Sequence, residues 1–113
     1  MRHLSILIVG LFLMGCIGDC DDAADIYRSF ECTIIIENIP NPKSTHLFNI
    51  EGTDPYTGKK IQFDRENRWF CTFYPLLAIG DTIIKRKNEL VFNIRKKDTI
   101  FRFNYECNGK TYE

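Results

Sequence analysis

Residues 90–107 read LVFNIRKKDTIFRFNYEC, and their alternation decides the fold class. Leu90, Phe92 and Ile94 fall on one side of an extended chain. After the polar run Lys96-Lys97-Asp98, Phe101, Phe103, Tyr105 and Cys107 do the same. Successive side chains of a strand point to opposite faces, so this is the period of two half-buried strands joined by a turn. Upstream, TIIKR (82–86) adds a third strand, launched by Gly80-Asp81 and ended by a reversal at Asn88-Glu89. The three form a meander.

The same period runs through the rest of the chain. SFECTIIIE (29–37) puts Phe30, Cys32, Ile34 and Ile36 on one face and Glu31, Thr33 and Glu37 on the other. Pro40 and Pro42 stop that strand because they withhold ladder donors. THLFNIEG (45–52) turns Phe48 and Ile50 inward, TDPYTG (53–58) is a turn, and KKIQFD (59–64) alternates Ile61 and Phe63 with Gln62 and Asp64. RENRWFCTFY (65–74) reads as a further strand with Trp69, Cys71 and Phe73 on one face. Helical character is confined to single turns at Ala23–Tyr27 and Pro75–Ala78. The spacing predicts an all-β small barrel or sandwich of six to seven short antiparallel strands over residues 28–113.

The N-terminus has a different character. Met1-Arg2-His3 is a short basic start, and LSILIVGLFLM (4–14) is apolar but too short to cross about 30 Å of hydrocarbon as a helix. That is the pattern of a secretory signal peptide over residues 1–15. Leu13-Met14-Gly15-Cys16 resembles the lipobox of bacterial lipoproteins. The resemblance implies that Cys16 is diacylated and becomes the first residue of the mature chain. A single acyl chain binds a membrane only marginally, at about 0.8 kcal/mol per buried methylene, so two or three chains imply stable anchoring. IGDTIIKRK (79–87) and FDRENRW (63–69) resemble segments of small uncharacterised bacterial lipoproteins, a likeness that covers about the second half of the chain and implies no activity.

Five cysteines are an odd number. With Cys16 assigned to lipid, Cys20, Cys32, Cys71 and Cys107 remain to form two disulfides in any of three connectivities. Such bonds persist outside the reducing cytosol. Cys32, Cys71 and Cys107 share the inward faces, so one of them reaches Cys20 or stays a buried thiol. IGDCDDAAD (17–25) carries Asp19, Asp21, Asp22 and Asp25, and the stretch 16–27 reads as a solvated acidic tether. Its acids just past Cys16 resemble the surface-export signals of some Gram-negative lipoproteins. The expected location is the bacterial cell envelope, as an outer membrane lipoprotein on the periplasmic or the exposed face.

The charged side chains balance at fifteen of each sign, but they are segregated. Residues 16–58 carry −6 and residues 59–113 carry +5. The basic half suits phosphate groups of headgroups or lipopolysaccharide, while nucleic acid is not an expected partner.

Catalytic chemistry finds little support. His46 is the only histidine beyond the leader, and the cysteines it would need lie on hydrophobic faces. With Cys16 assigned to lipid, no remaining Cys or His pair has zinc-knuckle spacing. The Asp cluster lacks the Gly and terminal Glu of an EF-hand loop, and no glycine-rich phosphate loop exists. Asp64 and Glu66 share one side of a strand with Arg65 and Arg68 beside them, as exposed alternation requires. Neither an enzyme nor a cofactor is expected.

The expected function is a non-enzymatic binding or structural module, held to the membrane by lipid and taking a protein, peptide or glycan. Arg68, Trp69 and Lys85 are the candidate binding residues, an amphipathic ring beside cations being a common anchor in binding surfaces. IGDTI looks like the Gly-Asp-x-Ile turn of PDZ domains, although the carboxylate-binding loop and following helix are missing. Peptide capture by strand addition at an exposed edge stays open. The alternative is an inhibitor of a hydrolase or a protective envelope factor. Small lipoprotein lysozyme inhibitors are similar in size, anchoring and β-barrel character, and that resemblance implies that ECTIII (31–36) and YECNGK (105–110) are halves of a linking disulfide.

Overall fold

In the computed structural model, which describes residues 19–113, seven antiparallel strands form one sheet. The leader 1–15 and the lipidation site Cys16 lie outside the described residues. The strands are β1 (Cys32–Asn38), β2 (Leu47–Thr53), β3 (Lys60–Glu66), β4 (Thr82–Lys85), β5 (Val91–Arg95), β6 (Ile100–Cys107) and β7 (Lys110–Tyr112). Their order across the sheet is β3-β2-β1-β4-β5-β6-β7, so the all-β antiparallel expectation holds, with β3 and β7 as the outer strands.

Period two does the work it was expected to do. Cys32, Ile34 and Ile36 of β1, Phe48 and Ile50 of β2, and Leu90, Phe92 and Ile94 around β5 are all buried. Register aligns them in rows: Ile34 faces Ile83, Ile83 faces Ile94, and Phe92 faces Phe103. The β4-β5-β6 meander is present, with its reversal at Asn88 in the left-handed region (φ 69°) that asparagine tolerates.

Two segments differ from the expectation. RENRWFCTFY is not a strand: Asn67 caps a one-turn helix, α2 (Arg68–Cys71), its side-chain oxygen accepting from the Phe70 N–H at 2.9 Å. Trp69, Phe70, Cys71, Phe73 and Tyr74 are all buried, a run that alternation cannot accommodate. The second is the acidic tether. Its described part is helical over residues 19–29, here called α1, and packs on the domain with Cys20 and Ala24 buried. Cys20, Ala23, Ala24 and Tyr27 fall at i, i+3, i+4 and i+7, the spacing of one apolar helix stripe. The four aspartates all fall outside that stripe.

An aromatic cluster fills the space between sheet and helices. Phe73 stacks on Phe92 with ring centroids 4.3 Å apart, and Phe48 sits 5.3 Å from Phe70 and 5.0 Å from Tyr74. Offset and edge-to-face pairs of this kind add about 0.5 to 1.5 kcal/mol each beyond the area they bury. The Tyr74 hydroxyl accepts from the Asn49 N–H and donates to the Leu47 carbonyl, pinning the segment after α2 to β2.

Candidate functional site

Four of the sequence-predicted residues are cysteines, and they resolve into one bond and two thiols. Cys20 is bonded to Cys107, so the start of α1 is stapled to the end of β6. The expected second disulfide does not form, since Cys32 and Cys71 are free and buried. One thiol sits on β1 and the other on α2, and the helix in place of a strand redirects Cys71. Burial pushes the Cys32 thiol up to about 12. Burial also raises the Cys71 thiol, against the opposing pull of Arg68. Both stay protonated and unreactive at neutral pH. The linking bond implied by the lysozyme-inhibitor resemblance is overturned as well, because the partner of Cys107 is Cys20 and not Cys32.

The three expected binding residues do not share a surface. Lys85 has no exposed surface at all. Its ammonium donates to the carbonyls of Tyr27 (2.6 Å), Arg28 (3.1 Å) and Phe30 (2.6 Å), where α1 ends. Lysine at a helix C-terminus satisfies carbonyls left without partners and meets the negative end of the dipole. Lys85 is therefore a cap for α1 and not a ligand contact. Trp69 is also largely enclosed, 7% exposed, against Tyr27, Phe73 and Tyr105. Arg68 alone of the three is exposed.

What Trp69 keeps of its surface faces a groove of about 540 Å³, lined also by Thr72, Phe73, Arg102, Phe103 and Asn104. Glu106 and Thr111 close one end, the Thr111 hydroxyl lying 3.4 Å from the Glu106 carboxylate. The groove exists because β6 and β7 differ in length. β7 pairs only with Tyr105, Glu106 and Cys107, so among the described residues Ile100 to Asn104 have a strand on the β5 side alone. Tyr105 donates its N–H to the Leu90 carbonyl, which directs the backbone groups of Tyr105, Phe103 and Phe101 toward β5. Alternation then turns those of Ile100, Arg102 and Asn104 toward the open side. Asn104 is partly engaged, its side-chain amide reaching the Tyr112 carbonyl at 3.5 Å. Ile100 and Phe101 are 49% and 42% exposed at the far end. Sequence reading missed this edge, since the strand lengths that create it emerge only from register.

Other chemistry is not assembled. His46 is exposed beside Glu66 and Arg68 in one depression, whereas Cys71 lines another with Pro42, Tyr74 and Pro75. Among the described residues no three His, Cys, Asp or Glu side chains gather as a metal site, and no helix is long and apolar enough to cross a membrane. Asp81 is nearly buried, receiving the Ala78 N–H at 2.9 Å and pairing with Lys96. That pair fixes the Gly-Asp turn structurally.

Fold and groove together define a small all-β domain with a disulfide-stapled helix and, among the described residues, an open edge along the first half of β6. The chain matches no protein-family model, no curated protein and no solved structure.

Proposed function

We propose that this chain is a lipid-anchored cell-envelope protein whose β domain is a non-enzymatic binding module. The observation that carries the reading is the groove at the open half of β6, lined by the aromatic rings of Trp69, Phe73 and Phe103 together with Arg102, Asn104 and Glu106. Aromatic surface framed by convergent polar groups is the usual make-up of a recognition site. The anchor rests on the LMGC stretch and the leader, and the Cys20–Cys107 bond supports an oxidising compartment. Cys20 lies four positions after Cys16, at most about 14 Å of chain, so an acylated Cys16 holds the β6–β7 end of the domain close to the bilayer. The hydrolase-inhibitor reading has lost its expected disulfide and nothing else favours it.

Expression in a Gram-negative host tests the anchor directly. Intact-mass analysis of the membrane fraction is expected to find an acylated N-terminal Cys16, and Cys16→Ser is expected to leave that fraction. A mature protein that retains residues 1–15 without acyl chains refutes the anchor. Binding is tested by the groove itself: Phe103→Ala with Arg102→Ala is expected to abolish capture of envelope ligands that the parent retains.

A further inference from the structure

Resting on the binding-module reading, we propose that the open β6 edge takes an extended acidic peptide as an added strand. The backbone supplies the first part of the argument. Ile100 and Arg102 present N–H and C=O groups on a side where, among the described residues, no strand lies, and a row of unpaired strand groups is a template for another strand. The groove supplies the second. A strand laid along this edge places alternate side chains toward Trp69, Phe73 and Phe103, and the others beside Arg102 and Asn104.

Charge selects the occupant. Residues 95–104 carry four basic side chains, Arg95, Lys96, Lys97 and Arg102, against Asp98 alone. Lys96 is engaged by Asp81, while Arg95, Lys97 and Arg102 form no ion pair among the described residues. Arg95 faces Ile100 across the β5–β6 ladder, so the edge and its neighbour strand present positive charge together. An acidic strand is drawn to this edge, and a basic one is repelled. A second copy of the chain is disfavoured by the same charges, since antiparallel self-pairing centred on Arg102 sets that arginine opposite itself.

The test is a random seven-residue peptide library selected against the full-length chain purified in detergent. Enriched peptides are expected to carry Asp or Glu at alternate positions with apolar residues between them, and to lack proline. For one such peptide, hydrogen exchange is expected to slow at the Arg102 amide, whose outward N–H the new strand would accept. N-methylation of the peptide backbone at the pairing positions is expected to abolish binding. Arg102→Glu, an exposed substitution, is expected to weaken it about tenfold or more, with Arg102→Gln between. Enrichment of basic peptides, equal binding to Arg102→Glu, or indifference to N-methylation overturns the proposal. Sedimentation that shows dimers broken by Arg102→Glu makes the occupant a second copy and overturns it too. A library that yields no peptide ends strand addition yet leaves the module free to bind a glycan or folded protein, whereas loss of all envelope binding defeats the broader reading.

Discussion

Lys85 donates to the carbonyl of Tyr27 at 2.6 Å across 58 residues of sequence, and the same ammonium reaches Phe30 and Arg28. The Asn88 N–H of the following turn also bonds the Arg28 carbonyl, at 2.8 Å. The β4–β5 hairpin thus holds the C-terminus of α1, as the disulfide holds its start. Lys85→Met keeps the apolar stem and removes the donors, leaving the Phe30 carbonyl without a partner while the Arg28 carbonyl keeps the Asn88 N–H and the Tyr27 carbonyl the Phe30 N–H. We expect a loss of about 3 kcal/mol in urea unfolding, with faster amide exchange in α1 than elsewhere. A loss below about 1 kcal/mol argues that water replaces the ammonium.

Two buried groups predict opposite pH slopes. Burial lowers Lys85 from 10.5 to about 8, opposed by Glu89 and Glu31 and assisted by Arg28. Between those values the unfolded chain binds more protons than the native one, so this contribution to stability is present above 10.5 and is lost as pH falls through about 8. Cys32 is raised from 9.0 to about 12, so its contribution is present below 9.0 and is lost as pH rises toward 12. Stability is therefore expected to rise from pH 8 to 9 and then to flatten or fall. Urea midpoints across pH 7.5–10.5 check this. Lys85→Met should remove the rise, and Cys32→Ala should relieve the fall.

The staple between α1 and β6 closes a span of 87 residues, which in the chain-entropy account stabilises by about 4.6 kcal/mol. Cys107→Ser is expected to lower the melting temperature, and reductant should lower the parent's to the same level while leaving the variant unchanged. The Tyr112 hydroxyl, which donates to Asp21 at 2.9 Å, remains as a weaker tie between β7 and α1. In the native parent, Cys32 and Cys71 should resist alkylation until denaturant is added, because both are buried. Rapid labelling of either thiol in native buffer contradicts the arrangement.

The strands were legible because one face of each is buried, which forces alternation on Cys32, Ile34 and Ile36 as on Leu90, Phe92 and Ile94. The α1 stripe at Cys20, Ala23, Ala24 and Tyr27 was present in the sequence too, masked by four aspartates that suggested a solvated tether. For α2 the signal was Asn67 before a run in which Phe70 is as apolar as Trp69 and Cys71. Lys85 follows the inward register of Ile83, yet no local pattern announces a buried ammonium whose three acceptors lie 55 to 58 residues away. The groove was illegible for a related reason: it depends on β7 ending short along β6, and pairing length is a property of two strands together.

Gly52 offers the sharpest check of the β1–β2 register. It faces Ile36, and a Cβ built there would lie 1.9 Å from the Ile35 carbonyl oxygen and 2.9 Å from Ile34 Cγ1. Neither neighbour yields cheaply, since one is backbone and the other belongs to a fully buried side chain. Gly58 makes an internal control, because it sits in the left-handed region at φ +73° with nothing within 4 Å of an added Cβ. Gly58→Ala should therefore cost only the conformational penalty, about 1 to 2 kcal/mol. Gly52→Ala is expected to cost more, about 3 kcal/mol or above, as overpacking that forces β1 and β2 apart. Amide exchange should then rise at Thr53 and Ile35 in Gly52→Ala and stay unchanged there in Gly58→Ala. Equal costs for the two substitutions would mean that β1 and β2 do not approach at Gly52 as described.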